Sequence, residues 1–390
     1  MKHDNHLKSA LRIIETFKGD IPLHLWLKKF FRENKQIGSR DRKVVSEMVY
    51  CFFRLGHAEK KISTDERILV GLFLCNNTSN EILQYFRPSW NNQISLNIEE
   101  KANIFQPSIL LSEIFPWKDQ LSTTVNHESF CKSFLQQPDL FARIRPGYEK
   151  PVREKLQKAA IAFTEINPSC LSFPNATKLD SIVELNKEAV IQDLSSQQIS
   201  ELIKLSTLNC QTSAVTAWDC CAGSGGKSIM LHDMYPAADI TVSDIRESIL
   251  INLKKRFREA GIKKYHSFAK DLSTNQPSFT IDHSPFDIII ADLPCSGSGT
   301  WSRTPEALYF FDIAEIEKYN SLQKKIVSNA IPYLKKGGTF LYITCSVFKK
   351  ENEEIVDFIQ DKFHLRMLKS KLFKGFDQKS DSMFAAAFTA

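Results

Sequence analysis

The sequence predicts an α/β protein in three parts. A doubly wound, mostly parallel sheet fills 188–390, a small α+β module 126–187 and a helical domain 1–125. From Glu188 onward, strand-like apolar runs alternate with amphipathic helical stretches, the pattern of a parallel sheet with helices on both faces. Two of those runs, Ile288–Ala291 and Phe340–Ile343, contain no charged residue and lead into Asp- or Cys-bearing loops, as strands buried on both faces do. Before residue 126, apolar residues recur at helical spacing.

The bulk numbers agree. A chain of 390 residues can bury two or three cores, and 43% hydrophobic with 25% charged residues is a globular composition. The first twenty residues are charged and amphipathic and no apolar run is long enough for a membrane span, so a cytoplasmic protein is expected. Nine scattered cysteines with no Cys-x-x-Cys argue for reduced thiols and against a zinc site. The net charge of +6 equals the excess within residues 1–60, where thirteen Lys/Arg face seven Asp/Glu. Arg40-Asp41-Arg42-Lys43, Lys254-Lys255-Arg256-Phe257-Arg258 and Lys263-Lys264 would suit a polyanion such as RNA, or equally be solvated helix faces.

In order, Leu7, Leu11, Ile14 and Phe17 mark a first helix and Val44 to Phe53 another with Ser39 as its N-cap. Ser63-Thr64-Asp65-Glu66 reads as a capping box before a third. Leu140–Arg145 alternates as a strand, Pro151–Ala162 as a helix, and strand-like pieces follow around Ile166, Leu171 and Ile182. Ala189–Ile191 is a short strand leading to a helix start at Gln192–Gln197. Ala214–Trp218, Ile240–Asp244 and Phe268–Asp271 are further strands, with Glu247–Ala260 a helix stopped by Gly261. Ile313–Leu334 is a long helix, expected to stop at Gly337-Gly338.

Three loops carry chemistry. Asp219–Ser228 is a Gly-rich turn between a strand and a helix, where open backbone amides can approach a ligand. A phosphate-binding P-loop needs glycine where Cys221 stands, so that reading fails. A nucleoside site instead demands an acid at the end of the next strand for the ribose hydroxyls; Asp244 is there, and Asp271 after the following strand could accept from an adenine amine. Cys221, Ala222, Gly223, Ser224, Gly225, Gly226 and Lys227 would line this site. The other two loops, Asp292–Thr300 and Thr344-Cys345-Ser346, deliver an acid and two thiols to one sheet edge. A lone cysteine is most often packing, the reading given to Cys210, Cys220 and Cys221, but two at strand tips point to chemistry.

These motifs together resemble the RsmB/Sun-type RNA 5-methylcytosine methyltransferases. That family's cofactor loop runs roughly Asp-x-Cys-Ala-Ala-Pro-Gly-Gly-Lys-Thr, here Asp219–Ser228. Its catalytic loops are Asp-x-Pro-Cys-Ser-Gly-x-Gly and Thr-Cys-Ser, here Asp292–Gly299 and Thr344–Ser346. Glu351-Asn352-Glu353 and Gln192–Gln197 also fit. The departures are Gly223-Ser224 for Ala-Pro, Asp381-Ser382-Met383-Phe384 for Asp-Gly-Phe-Phe, and Arg143-Ile144-Arg145, which lacks a following Asn. The resemblance implies a Rossmann-like class I methyltransferase domain, an RRM-like module before it, S-adenosyl-L-methionine as cofactor and no metal. It further implies Cys345 as the nucleophile at cytosine carbon 6, Cys295 assisting product release, and Asp292 holding the base and lining the cofactor site.

The expected substrate is ribosomal RNA, with transfer RNA as the alternative. The competing class is a non-catalytic RNA-binding or ribosome-assembly factor with this fold. Methylation of an exocyclic amine is disfavoured, because that chemistry shows Pro-Pro-Tyr/Phe after the acid where this chain has Leu293-Pro294-Cys295.

Overall fold

The computed structural model describes residues 2–206, 215–274 and 285–390; Cys210 and Ala214 lie outside them. The chain divides into two compact units, one of Met1–Leu121, Val125–Gln137 and Thr300–Ile313, the other of Ser122–Thr124, Pro138–Gly299 and Ala314–Ala390.

The first unit is helical. Helices Lys2–Thr16, Leu23–Glu33, Ser39–Arg54 and Thr64–Cys75 bury Ile13, Leu27, Val49, Phe53 and Phe73 in one core, as their 3.6-residue spacing requires. Gly38, not Ser39, occupies the N-cap of the third. Ser63 does occupy the N-cap of the fourth but makes no cap bond, its hydroxyl hydrogen-bonding Asp65 instead. The capping box forms at Asn97 and Glu100.

The unexpected member is Pro305–Phe310, a helix from deep in the C-terminal sequence. Glu306 accepts from the Leu23 amide at 3.0 Å, His57 contacts the Leu308 carbonyl at 3.0 Å, and Phe310 packs edge-on against Phe17. Burial holds His57 at a pKa of about 4, so its ring is neutral at physiological pH.

The second unit holds two sheets. Strands β1 (Leu140–Ile144), β2 (Thr164–Asn167), β3 (Cys170–Phe173) and β4 (Ala189–Ile191) form an antiparallel sheet in the order β2-β3-β1-β4. The strand expected to open the C-terminal alternation therefore closes this sheet. Helix Glu149–Lys158 covers it through Val152 and Leu156. Ile182 lies in a turn rather than a strand, packed on the same core.

The large sheet comprises β5 (Thr216–Asp219), β6 (Asp239–Asp244), β7 (His266–Ala269), β8 (Phe286–Asp292), β9 (Leu334–Thr344), β10 (Arg366–Phe373) and β11 (Met383–Thr389). Their order is β10-β11-β9-β8-β5-β6-β7, parallel from β9 to β7 and antiparallel at the β10-β11 edge. Alternate residues feed separate cores on its two faces. Ala217, Ile288, Ile290, Leu341 and Ile343 serve one; Trp218, Ile289, Ala291, Phe340 and Tyr342 serve the other.

Helix Glu315–Ala330 ends at a turn containing Pro332, which has no amide hydrogen to continue the ladder; Gly337 and Gly338 fall within β9. Among the described residues, no helix is long and apolar enough to cross a membrane.

Candidate active site

The sheet order reverses direction between β5 and β8, so the loops leaving their carboxyl ends part and open a crevice, the usual ligand position in this class. The Gly-rich loop leaves from β5 and the Asp292–Thr300 stretch from β8, with Thr344-Cys345-Ser346 leaving the neighbouring β9.

The loop after β5 is shaped by its glycines. Gly225 caps helix Gly226–Met234 with φ of +81°, a left-handed conformation, and a Cβ there would sit 2.9 Å from Phe257 and 3.0 Å from Leu253. By contrast, Cβ atoms built on Gly223 and Gly226 meet no heavy atom within 4 Å. The loop thus packs tightly on one side and leaves open space at two glycines. Arg256 binds Ser224 through both the carbonyl (2.9 Å) and the hydroxyl (2.7 Å). A turn that holds Gly-Ser in place of Ala-Pro is therefore tied by a guanidinium, and this member of the basic cluster faces inward.

Asp244 ends β6 and accepts from the Gly223 amide at 3.0 Å and from the Arg246 amide and guanidinium at 3.0 and 3.1 Å. Asp271 lies two residues beyond β7, one oxygen accepting from the Ser273 amide and hydroxyl. Asp219 is fully buried at the end of β5. It accepts from Ser228 at 2.6 Å through Oδ2, while Oδ1 has no hydrogen-bond partner among the described residues. Open loop glycines, a strand-end carboxylate and an orphaned buried oxygen fit a polar nucleoside-type ligand. Among the described residues, no cluster of His, Cys, Asp and Glu could hold a metal ion.

The second half of the site is built by β8 and β9. Lys227, the first-turn lysine of the loop helix, is buried and donates to Asp292 at 2.7 Å. Burial opposes its charge, but attraction to Asp292, with smaller help from Asp219 and Cys345, overcomes it and raises the lysine's pKa. Lys227 is therefore a charged member of the site rather than a solvent-facing residue.

Cys295 and Cys345 bring their sulfurs to 3.2 Å. The two are not equivalent. The hydrogen bond with Cys345, then burial, then the charges of Cys345 and Glu351, push the Cys295 thiol well above its ordinary range. Cys295 is thus held as a protonated thiol.

Glu351 explains how the thiols stay together. It is fully buried and accepts from the Ser296 amide (2.8 Å), the Ser296 hydroxyl (2.5 Å) and the Ser346 hydroxyl (2.5 Å), the residues that directly follow the two cysteines. Gln323 adds a bond at 3.2 Å, and the Tyr342 hydroxyl donates to the Glu351 carbonyl. Neighbouring Asn352 accepts from Thr344 and donates to the Ser346 carbonyl. Gly299 completes the junction. Its amide donates to the Cys345 carbonyl at 2.8 Å, and a Cβ on it would lie 2.1 Å from the Ser382 carbonyl oxygen. The sequence placed Glu351 in a matching tripeptide without a role and Arg256 in a basic cluster suited to a polyanion; it gave no signal for Gln323.

Arg143 and Arg145 are not available to a ligand. Both are buried and grip Asp233, Arg143 at 2.6 Å and Arg145 at 2.7 Å.

Residues 205–387 match the family described as 16S rRNA methyltransferase RsmB/F. Over these residues, just under half of the chain, it resembles that family. Ribosomal RNA small subunit methyltransferase B of Photorhabdus laumondii is 30% identical over 171 residues, covering 44% of this chain and 38% of that protein. The same-named protein of Proteus mirabilis is 28% identical over 234 residues, 58% of this chain and 53% of that one. The chain thus spans about half or less of the length of these curated relatives.

Among solved structures, PH0851 covers 100% of this chain and 98% of its own at a TM-score of 0.70 and 19% identity. NSun6 from Pyrococcus horikoshii, solved with SFG, covers 67% and 94% at 0.57 and 14%. These likenesses establish the Rossmann-like methyltransferase fold of the second unit.

Proposed function

We propose that this chain methylates carbon 5 of a cytosine in RNA, ribosomal RNA first, with S-adenosyl-L-methionine as methyl donor. The observation that carries this reading is the pair of thiols 3.2 Å apart at the ends of β8 and β9, beside Asp292. Relatives named as ribosomal RNA small subunit methyltransferases support the RNA class.

Cytosine carbon 5 is a weak nucleophile. Addition of a thiolate at carbon 6 makes it enamine-like, so that carbon 5 can take up a methyl group; transfer of the carbon-5 proton to a base and expulsion of the thiolate then restore the aromatic base. Cys345 is the nucleophile, its sulfur 3.2 Å from that of Cys295. Cys295, held protonated, is suited to proton traffic during release rather than attack. Asp292, fixed by Lys227, holds the base at its ring nitrogen and amine. The cytosine must be unpaired or flipped out to reach both sulfurs. S-adenosyl-L-methionine, when bound, supplies an electrophilic methyl group. Cys221 to Lys227 and Asp292 would line its site, Asp244 would take its ribose and Asp271 its adenine amine.

The test is nucleoside analysis of unmodified ribosomal and transfer RNA transcripts incubated with S-adenosyl-L-methionine. Wild type should form 5-methylcytidine, and Cys345→Ala should form none. Cys295→Ala should accumulate a protein–RNA adduct that survives denaturing electrophoresis. Full turnover by Cys345→Ala, or no product from wild type on either RNA, would sink the reading.

A further inference from the structure

Lys28, Lys29, Arg32, Lys35 and Arg42 line a groove of about 530 Å³ in the helical unit, around Leu25 and a buried Phe31. No carboxylate lines it. Among the described residues none of the five cations is in an ion pair: Arg42 donates to the Ile37 carbonyl at 2.8 Å and lies 5.7 Å from the Phe31 ring centroid, and the other four side chains are exposed. Five like charges around one concavity repel one another, and a fold that keeps them un-neutralised holds a strong positive field there. A second depression, about 430 Å³, shares the helix Leu23–Glu33 and the turn after it and adds Lys2, Lys8 and Arg12 to the lining. In that one, the single carboxylate, Asp41, is engaged by His6 at 2.9 Å.

We propose that this basic track, centred on helix Leu23–Glu33 and the turn that follows, seats the phosphodiester backbone of the RNA substrate. The inference rests on RNA being the substrate and names where it docks. Regularly charged RNA matches a run of unpaired cations, whereas a folded acidic protein would need apolar contact that this groove, with Leu25 exposed and Phe31 buried, scarcely offers. The track differs from the Arg40-Arg42-Lys43 cluster that charge counting singles out. Only Arg42 is common to both, and it is half-buried and anchored to its own turn.

The experiment compares wild type with a quadruple variant, K28A/K29A/R32A/K35A, by fluorescence anisotropy of a labelled, unmodified single-stranded RNA from 50 to 300 mM salt. The four residues are exposed, so melting temperature should hold, and a K254A/K255A double variant serves as a control for bulk charge. Each lost phosphate contact lowers the log–log salt slope by about 0.7, so the quadruple variant should lose about 3 of slope and bind at least about tenfold more weakly at low salt. An unchanged slope, a loss matched by the control, or retained RNA binding with lost binding to an acidic peptide overturns the proposal. If wild type forms 5-methylcytidine while the quadruple variant keeps the wild-type slope, the docking inference alone fails. If wild type forms none, the proposed reaction fails on its own readout.

Discussion

Asp219 sits fully buried with Oδ1 unpartnered, and its carboxyl is pushed up to about 7, first by burial and then by Asp292, against the Ser228 bond and Lys227. From its ordinary value of 3.8 up to about 7 the folded protein keeps a proton that the unfolded chain has released. Stability from this group is therefore present at acid pH and lost as pH rises through that window. Asp219→Asn cannot ionise and keeps an acceptor for Ser228. Its stability should exceed wild type by about 2–3 kcal/mol more at pH 8 than at pH 5 in denaturant melts; equal differences at both pH values would remove the buried charge from the account. Glu351 carries a different expectation. Glu351→Gln replaces an acceptor of two serine hydroxyls by a donor, so the loops bearing Cys295 and Cys345 should drift. Turnover should fall by about 10²-fold, the cost of a misplaced reacting group, while calorimetric affinity for S-adenosyl-L-methionine holds. It should also let Cys295 alkylate at lower pH, since one of the charges holding its thiol protonated is gone. An equal loss of turnover and cofactor affinity would reduce Glu351 to a general fold residue. The cysteines and acids were legible because their residue types and loop settings announce chemistry. Lys227 was placed beside the cofactor loop by its motif and Glu351 only by its tripeptide; their partners were not legible, because a first-turn lysine and a post-loop glutamate look solvent-facing until tertiary contacts bury them.

At the scale of elements, the loop between β5 and its helix separates two uses of glycine. Gly225→Ala must hold a left-handed φ and push into Phe257 and Leu253, and should destabilise the protein by about 1–3 kcal/mol in denaturant melts. Gly226→Ala begins a helix and meets nothing within 4 Å, so stability should hold or rise. It fills the space expected for the cofactor, however, and should weaken S-adenosyl-L-methionine by about 1.4 kcal/mol or more, a tenfold loss. If Gly226→Ala binds the cofactor as wild type does, the ligand lies elsewhere. The central strands of this sheet could be read from sequence because both their faces are buried, which leaves continuous apolar runs. β10 could not, since only Phe373 of Arg366–Phe373 is buried and charged residues interrupt any apolar run. β11, although fully buried, is alanine-rich and carries little strand preference. The end of helix Glu315–Ala330 was misplaced for a local reason: two glycines are a louder signal than one proline, but only the proline removes a donor.

For the whole molecule, connectivity was the least legible feature. An amphipathic hexamer such as Pro305–Phe310 says that it wants a partner, not which one, and the partner lies nearly 300 residues earlier. Because Thr300–Ile313 belongs to the helical unit, the Cys295-bearing loop ending at Gly299 is followed directly by a segment that packs within that unit. Within that unit Trp301 packs against Phe115, Trp117 and Phe311, and Leu308 is fully buried. A fragment of residues 138–390 strips both side chains of their cover, at about 1.5–3 kcal/mol each. It should therefore melt lower than the full chain and aggregate, even though the large sheet and its two cores are complete. Replacing 300–313 in that fragment by a short Gly/Ser linker removes the exposed apolar groups and should recover solubility. A plain 138–390 fragment that is monomeric and melts with the full chain would show that the insertion is a passenger. Loss of solubility relieved by the linker would show that the helical unit folds around a piece of the catalytic half, so the two parts cannot be separated at any single point in the sequence.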